Sequence, residues 1–210
     1  MMNYLDTLTW NRRKHFEFFK QFSDPYFSIT VEVDVTKAFA YSKENKKSFF
    51  VLYLHACLKA VNSVENFKYR IEEEKVAIHP IINVSTTILR ADNTFGFSYI
   101  LFDENFEIFN ENFEKEKERV FNSNDLFSPI DSEDCVYCSA LPWVNFSGHK
   151  EPLSGFRTES VPKLAFGKYK EKESKLLMPV AISANHALMD GYHVGLFFDK
   201  YQKALNNVDL

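Results

Sequence analysis

The chain has 210 residues, of which 45% are hydrophobic and 16% aromatic, and it carries a net charge of -4. Its length allows a sizeable core and no composition break marks a boundary, so we expect one domain over residues 1–210. No basic stripe interleaves with the aromatic residues, which argues against a nucleic-acid partner. The 6 glycines include no Gly-x-Gly-x-x-Gly pattern, which argues against a dinucleotide-binding unit.

The cysteines indicate a reducing compartment. They number three, and the polar N-terminus carries Arg12 and Arg13 with no apolar core of a signal peptide after them. Reduced thiols in a cytoplasmic protein are therefore expected. Cys135 and Cys138 have metal or redox spacing, but no second Cys or His pair completes a zinc set, so we predict no metal site. No apolar run reaches transmembrane length, so no membrane partner is expected.

The first third of the chain is predicted to be mostly helical. The expected elements are helices within residues 4–22, 36–43 and 49–62 and a strand at 27–35. Thr9 and Ser48 are suitable caps for the first and third helices. The strand alternates apolar and polar side chains, which is typical of a half-buried strand. His55 lies in the apolar third helix, and we interpret it as a core histidine with a hydrogen-bond partner.

The remaining chain alternates between β-prone runs and two helices. Strands are expected at 67–71, 75–78, 84–89, 94–101, 135–141, 163–169 and 176–184, and helices at 106–121 and 192–204. The irregular stretch 147–162 is the longest loop and is expected to form the wall of a site. This order predicts an α+β fold, a mixed β-sheet with helices packed on one face.

A histidine at a strand end is the strongest candidate for chemistry. His186 follows the apolar run 176–184 and precedes Asp190 and Gly191, where the last helix begins. Imidazole titrates near neutrality, so it can take a proton from a hydroxyl or thiol and return it. Glycine would permit a tight turn, and Asp190 would fix the turn or cap the helix. The alternative is a helix-start turn in which His186 is merely packed or solvated.

Two further kinds of residue could assist such a histidine in catalysis. Arg12 and Arg13 point about 100° apart on a helix, so one can turn inward and pair with a buried carboxylate; two surface arginines are the alternative. Ser139 lies just before Pro142, which marks a strand end or edge. Its hydroxyl can donate to a developing oxyanion, although an ordinary strand serine gives the same pattern.

Four ordered segments resemble the chloramphenicol acetyltransferases. They are Trp-x-Arg-Arg-x-His-Phe at 10–16, Phe-Ser-Ile-Thr with its acidic-apolar strand at 27–34, Ser-Ala-Leu-Pro-Trp-Val-Asn-Phe at 139–146, and His-x-x-x-Asp-Gly-Tyr-His at 186–193. The resemblance runs over nearly the full chain. It implies the fold of the CoA-dependent acyltransferases and a homotrimer with active sites at subunit interfaces. It also implies an acetyl-CoA-dependent O-acetyltransferase that inactivates an antibiotic, chloramphenicol.

The resemblance also assigns roles residue by residue. His186 matches the family's general base, and Ser139 matches the serine that stabilises the tetrahedral intermediate. Asp190 and Arg12 match the pair that holds the site. Phe27 matches an aromatic residue that lines the antibiotic pocket. Acetyl-CoA would be the co-substrate, and it would reach the histidine from the end of a tunnel opposite the acceptor alcohol.

The sequence departs from the family's pattern around the acceptor. Asn185 replaces the first of two histidines, Phe19 stands where a tyrosine is frequent, and Ala165 stands where a threonine is frequent near the oxyanion. After Phe146, residues 147–151 replace a segment that helps to line the acceptor pocket. We predict that Phe19, Phe27, Phe146 and Ala165 contact substrate.

Three other functions remain open from the sequence. The same acetyl transfer can act on a different hydroxylated small molecule. A related core of dihydrolipoyl acyltransferases carries a similar His-x-x-x-Asp-Gly, but no Pro/Ala-rich linker or lipoyl domain occurs here. A non-catalytic trimeric binding protein of the same fold would not need His186, Ser139, Arg12 and Asp190 together.

Overall fold

The computed structural model describes residues 3–153, 155 and 159–208. Its strands are β1 (Asn3–Tyr4), β2 (Tyr26–Asp34), β3 (Tyr69–Glu72), β4 (Lys75–Ile78), β5 (Asn83–Leu89), β6 (Phe95–Phe97), β7 (Cys135–Leu141), β8 (Lys163–Gly167), β9 (Lys170–Lys172) and β10 (Lys175–Asn185). Its α-helices are α1 (Arg13–Phe19), α2 (Thr36–Glu44), α3 (Phe49–Asn62), α4 (Phe106–Phe121) and α5 (Gly191–Asn206).

A seven-stranded mixed sheet carries the fold. Its strand order is β2-β10-β8-β7-β5-β6, with β9 pairing the start of β10. Strand β7 runs parallel to both β5 and β8, whereas β10 is antiparallel to β2 and β8. A second, three-stranded sheet has the order β1-β4-β3. The prediction of an α+β fold with a mixed sheet is confirmed.

Alternation along the strands gives the large sheet two unlike faces. One face packs with α2, α3, α4 and α5 into the main core and presents side chains such as Val180, Ile182 and Leu164. Because successive strand residues point to opposite faces, the intervening positions lie on the other side. There they include Ser183, Lys163 and Ser139, which are small or polar. This second face is where the cavities described below are found.

Helix α3 is buried on all sides. Ser48 caps it by accepting a hydrogen bond from the Val51 N–H, as predicted. Its residues from Val51 to Leu58 are all buried between the sheet and the neighbouring helices. His55 is only 7% exposed, and its Nε2 lies 2.9 Å from the Asp103 carbonyl oxygen. The interpretation of His55 as a hydrogen-bonded core histidine is confirmed.

Some local predictions are wrong. Thr9 does not cap α1, because the helix begins four residues later, at Arg13; the Thr9 hydroxyl instead donates to Asp6 Oδ2 at 2.9 Å. The strand expected at 94–101 is only Phe95–Phe97, and beyond it the backbone returns to β5 at a single bridge between Ile100 and Val84. The start of the strand expected at 67–71 is a 3-10 turn, Glu65–Lys68.

Neither a membrane-spanning helix nor a metal-binding cluster occurs among the residues that the structure describes. Among those residues, no helix combines the length and the apolar character needed to cross a bilayer. Within the same residues, no three His, Cys, Asp or Glu side chains converge on a possible metal position.

Cys57, Cys135 and Cys138 are unpaired and buried, and burial raises the pKa of Cys135 to about 12. The expected loop at 147–162 is irregular where it is described, and residues 154 and 156–158 lie outside the described residues.

Candidate active site

The turn after β10 presents His186 on a fixed backbone. The His186 N–H donates to the Pro25 carbonyl at 2.8 Å, which ties the turn to the start of β2. Asn185 is buried, and its side-chain oxygen accepts from the Ala187 N–H at 2.9 Å while its amide donates to the Glu159 carbonyl at 2.9 Å. The asparagine that departs from the family's pattern therefore stabilises the turn itself.

Aromatic rings fix the plane of the His186 imidazole. The ring of Phe19 stacks on it with 4.0 Å between centroids and 2° between planes. Phe27 approaches the imidazole at 4.7 Å between centroids and 45°. Nδ1 is shielded from solvent and has no hydrogen-bond partner among the described residues. Two of the three aromatic residues predicted to contact substrate, Phe19 and Phe27, therefore lie at the histidine.

Arg12 joins the first helix to the last. It occupies the position before α1, is 7% exposed, and its guanidinium forms an ion pair with Asp190. A second nitrogen of Arg12 donates to the His186 carbonyl oxygen at 3.2 Å. Asp190 also caps α5 by accepting from the Tyr192 N–H at 3.0 Å. The pair therefore fixes the His186 backbone and the start of α5 together.

The charges around Asp190 keep it ionised. Burial raises the pKa of its carboxyl, but Arg12, His193 and the hydrogen bonds that it accepts outweigh burial and hold that pKa below its usual value. Burial lowers the pKa of His193, and Arg12 acts in the same direction against the attraction of Asp190. A neutral His193 can accept from the Asp190 N–H, 3.2 Å from its Nδ1. No hydrogen bond among the described residues joins Asp190 to the imidazole of His186.

Gly191 is not needed for a tight turn. It begins α5 without a positive φ, and a Cβ added there would meet no atom within 4 Å. The prediction that this glycine allows the turn is therefore wrong, because the Asn185 side chain and the Asp190 cap shape the segment instead.

Ser139 lies in a separate part of the molecule. It is half-buried on β7 and lines a cavity of about 600 Å³ on the sheet face opposite the helices. Other lining residues include Phe97, Phe127, Tyr137, Glu151 and Lys163. The cavity combines an aromatic wall with hydroxyl and charged groups, as small-molecule sites do.

Glu151 and Lys163 are lining residues that the sequence did not single out. Lys163 is 5% exposed, pairs with Glu159, and donates to the Pro152 carbonyl at 2.7 Å. Burial raises the pKa of Glu151, while His149, the Ser139 hydroxyl and Lys163 act in the opposite direction. Both residues lie in or beside the loop at 147–162, which the sequence already indicated as the wall of a site.

Ala165 and Phe146 lie near Ser139 without lining that cavity. Ala165 is buried in β8 and pairs with Ser139 on one side and Ala181 on the other. Phe146 is half-buried against Gly167, where an added Cβ would approach its ring carbon to 2.8 Å. The predicted substrate contacts are thus separated: Phe19 and Phe27 lie beside His186, Ala165 pairs with Ser139, and Phe146 packs on Gly167.

Strand register separates Ser139 from His186 within one chain. Ser139 pairs with Ala165, which pairs with Ala181, so Ser139 lies two strands from β10 and five positions short of His186. At about 3.3 Å per residue and about 4.8 Å per strand, that separation is roughly 19 Å. One chain therefore does not bring the two side chains to a common reacting atom.

Comparison with known proteins gives consistent matches. The family description chloramphenicol acetyltransferase matches residues 1–202. The chloramphenicol acetyltransferase of Bacillus pumilus is 28% identical over 200 residues, which cover 94% of this chain and 91% of that protein. Chloramphenicol acetyltransferase 3 of Escherichia coli is 26% identical over 210 residues, which cover 98% and 99% of the two chains.

Solved structures support the same relationship. A chloramphenicol acetyltransferase superposes with a TM-score of 0.89 at 27% identity and covers 98% of this chain and 100% of that chain. A dihydrolipoamide acetyltransferase of Azotobacter vinelandii has a TM-score of 0.69 at 14% identity, over 94% and 89% of the chains, and shows the fold alone. The full-length sequence match and the shared fold together show that this chain belongs to the chloramphenicol acetyltransferase family of acyltransferases.

Proposed function

We propose that this chain is an acetyl-CoA-dependent O-acetyltransferase that acetylates a hydroxyl of chloramphenicol. Its relatives carry the name of that activity. The observation that carries the proposal is the setting of His186, whose imidazole is stacked on Phe19 and free of any carboxylate partner among the described residues. A neutral imidazole on a fixed turn is what a general base for an alcohol requires.

His186 acts as the base through Nε2. With Nδ1 shielded from solvent, Nε2 is the nitrogen that can reach an acceptor. It removes the hydroxyl proton as the alkoxide oxygen attacks the thioester carbonyl of acetyl-CoA. The tetrahedral intermediate then collapses, the carbon–sulfur bond breaks, and the imidazolium returns its proton to the CoA thiolate. Asp190 stays an anion held by Arg12, so it orders the turn through the Arg12 hydrogen bond to the His186 carbonyl and through the start of α5.

Ser139 stabilises the oxyanion of that intermediate. A hydroxyl donor in this role contributes roughly 3–4 kcal/mol to the transition state. Because His186 and Ser139 are separated within one chain, we propose that each site is completed by His186 of one copy and Ser139 of another. A homotrimer with sites at its subunit interfaces satisfies this requirement.

The domain organisation, the co-substrate and the compartment belong to the same proposal. Residues 1–210 form one domain, acetyl-CoA is the co-substrate, and no metal ion takes part. The unpaired cysteines support a reducing compartment, which we take to be the cytoplasm.

The test is release of free CoA thiol from acetyl-CoA in the presence of chloramphenicol. Wild type should release thiol, and His186→Ala should lose nearly all of that rate. His15→Ala is the matched control, because the His15 side chain is exposed on α1. Equal rates for wild type and His186→Ala would refute the role of the base. No release by wild type would refute chloramphenicol as the acceptor.

A further inference from the structure

The cavity beside Ser139 contains charge that chloramphenicol, a neutral molecule, does not match. Glu151 and Lys163 line both this cavity and a smaller one of about 90 Å³ on the same sheet face. Asp131 is a second acidic residue of the larger cavity's lining. The two cavities therefore meet at a carboxylate and an ammonium group beside the proposed oxyanion donor.

The ammonium group of Lys163 already has an ionic partner and a hydrogen-bond acceptor. Lys163 pairs with Glu159 and donates to the Pro152 carbonyl, and its Nζ also lies 5.4 Å from the centre of the Tyr26 ring. No ion pair between Lys163 and Glu151 is present among the described residues. Lys163 thus contacts Glu159, and among the residues that the structure describes no cation forms an ion pair with Glu151.

The carboxylate of Glu151 is incompletely satisfied. Its Oε1 is shielded from solvent and accepts no hydrogen bond from the described residues. The Ser139 hydroxyl is the hydrogen-bonding group that acts on this carboxyl, and burial outweighs it. A buried acceptor without a donor is unfavourable, and a buried anion is more so, because water that would solvate it has been removed. A ligand that supplies a cationic donor would remove this deficit.

We propose that Glu151 lets the site also take amino alcohols as acceptors, beside chloramphenicol, with the protonated amine bound at the Glu151 carboxylate. Ser139 is in contact with Glu151, so the amine would sit near the hydroxyl that is acetylated. The aromatic rings of Phe97 and Phe127, stacked at 5.7 Å between centroids, line the same cavity and suit an apolar or aromatic remainder of the acceptor. This inference rests on the proposed acetyl transfer and names a second class of acceptor for it.

The test compares acceptors of matched shape. The first keeps the nitrophenyl diol of chloramphenicol but carries a dimethylamino group in place of the dichloroacetamide. That tertiary amine is protonated at pH 7 and cannot be acetylated on nitrogen. The second carries an isopropyl group there, which has the same shape and no charge. Chloramphenicol is the third. The rate of CoA thiol release gives kcat/KM for each acceptor with wild type, Glu151→Gln, and the exposed control Glu171→Gln.

The expected result is a preference for the amine that depends on Glu151. Wild type and Glu171→Gln should favour the amine over its isopropyl analogue by at least about tenfold, as a hydrogen bond between charged groups implies. Glu151→Gln should reduce that ratio to about one. An unchanged ratio in Glu151→Gln overturns the proposal. An equal kcat/KM for the two analogues in wild type also overturns it, and that measurement does not depend on the folding of any variant.

The measurements distinguish a protein without acetyl transfer from one in which Glu151 does not bind the amine. If no acceptor supports thiol release, acetyl transfer to this class of molecule is refuted. Calorimetric titration of wild type and Glu151→Gln with the two analogues then decides the role of Glu151, since only wild type should prefer the amine. Tighter binding of the amine by at least about tenfold supports it, and equal affinities overturn it.

Discussion

The imidazole of His186 lies parallel to the ring of Phe19, with 4.0 Å between the two centroids. The two residues come from opposite ends of the chain, from the turn after β10 and from the end of α1. Phe27 covers the same imidazole at an angle of 45°. The histidine is thus oriented by aromatic packing, and the carboxylate nearby is bound to an arginine.

Loss of the Phe19 ring should loosen the imidazole and lower the rate of acetyl transfer. We expect Phe19→Leu to reduce kcat about three- to tenfold, the range that aromatic pairing supplies, because the base would sample unproductive orientations. CoA thiol release measures the effect, and Phe19→Tyr should retain most of the activity. Phe18→Leu is the control, since Phe18 is 58% exposed. An equal loss in the control would show that α1 packing, rather than stacking, is responsible.

Breaking the pair between Arg12 and Asp190 should destabilise the fold. Arg12→Met leaves Asp190 without its cation, and Asp190→Asn leaves a buried guanidinium without its anion. Each is expected to lower the free energy of unfolding by about 2–4 kcal/mol, with the double variant losing less than the sum. Urea unfolding at fixed protein concentration measures this. Arg13→Met, which removes an exposed pair with Glu17 at 2.8 Å, should change little. Strict additivity would refute a direct coupling.

Two inactive variants should restore activity when their subunits are mixed. His186→Ala and Ser139→Ala each remove one half of the proposed site, and Ser139→Ala alone should lower kcat by about 10²–10³-fold. Co-refolded in equal amounts, one interface in four pairs an intact His186 with an intact Ser139. Activity of about one quarter of wild type is therefore expected. No recovery in mixed oligomers whose assembly is verified by size would mean that the site lies within one chain.

Stability should fall as the pH drops below neutrality. Burial lowers the pKa of His55 in the folded state, so the unfolded chain binds its proton more readily. That contribution is fully present above about pH 6.5 and is lost as the pH falls towards the folded pKa, at up to about 1.4 kcal/mol per pH unit. Urea unfolding between pH 7.5 and 5.5 should show a smaller decline for His55→Gln than for wild type. Some decline should remain, because burial also lowers the pKa of His79 and His193. Equal slopes for both proteins would refute the assignment to His55.

The sequence predicts best what local patterns encode. Ser48 caps α3 because a serine directly before an apolar helical run can accept a hydrogen bond from the first turn of the helix. The alternation of apolar and polar residues in β2 indicates that one of its faces is buried. Asp190 caps α5 for the same local reason. These features need only a few neighbouring residues, so the sequence pattern is sufficient for them.

What depends on distant contacts could not be predicted from pattern. The separation of Ser139 from His186 follows from strand register, which the composition of β7 and β10 does not specify. Glu151 reads as an ordinary polar loop residue, and only packing of that loop onto β7 and β8 buries its carboxylate. Thr9 does not cap α1 because the helix begins only at Arg13, after a turn in which Thr9 donates to Asp6.

The burial of α3 has a consequence for synthesis on the ribosome. This helix ends at Asn62, whereas β7, β8 and β10, which cover it in the finished fold, begin at Cys135, Lys163 and Lys175. A largely apolar helix is unstable when it is exposed to water. Residues 49–62 therefore remain exposed on the nascent chain until most of the chain has been synthesised. We expect this segment to be the nascent chain's principal contact for holding chaperones and the part most prone to aggregation when translation stalls early.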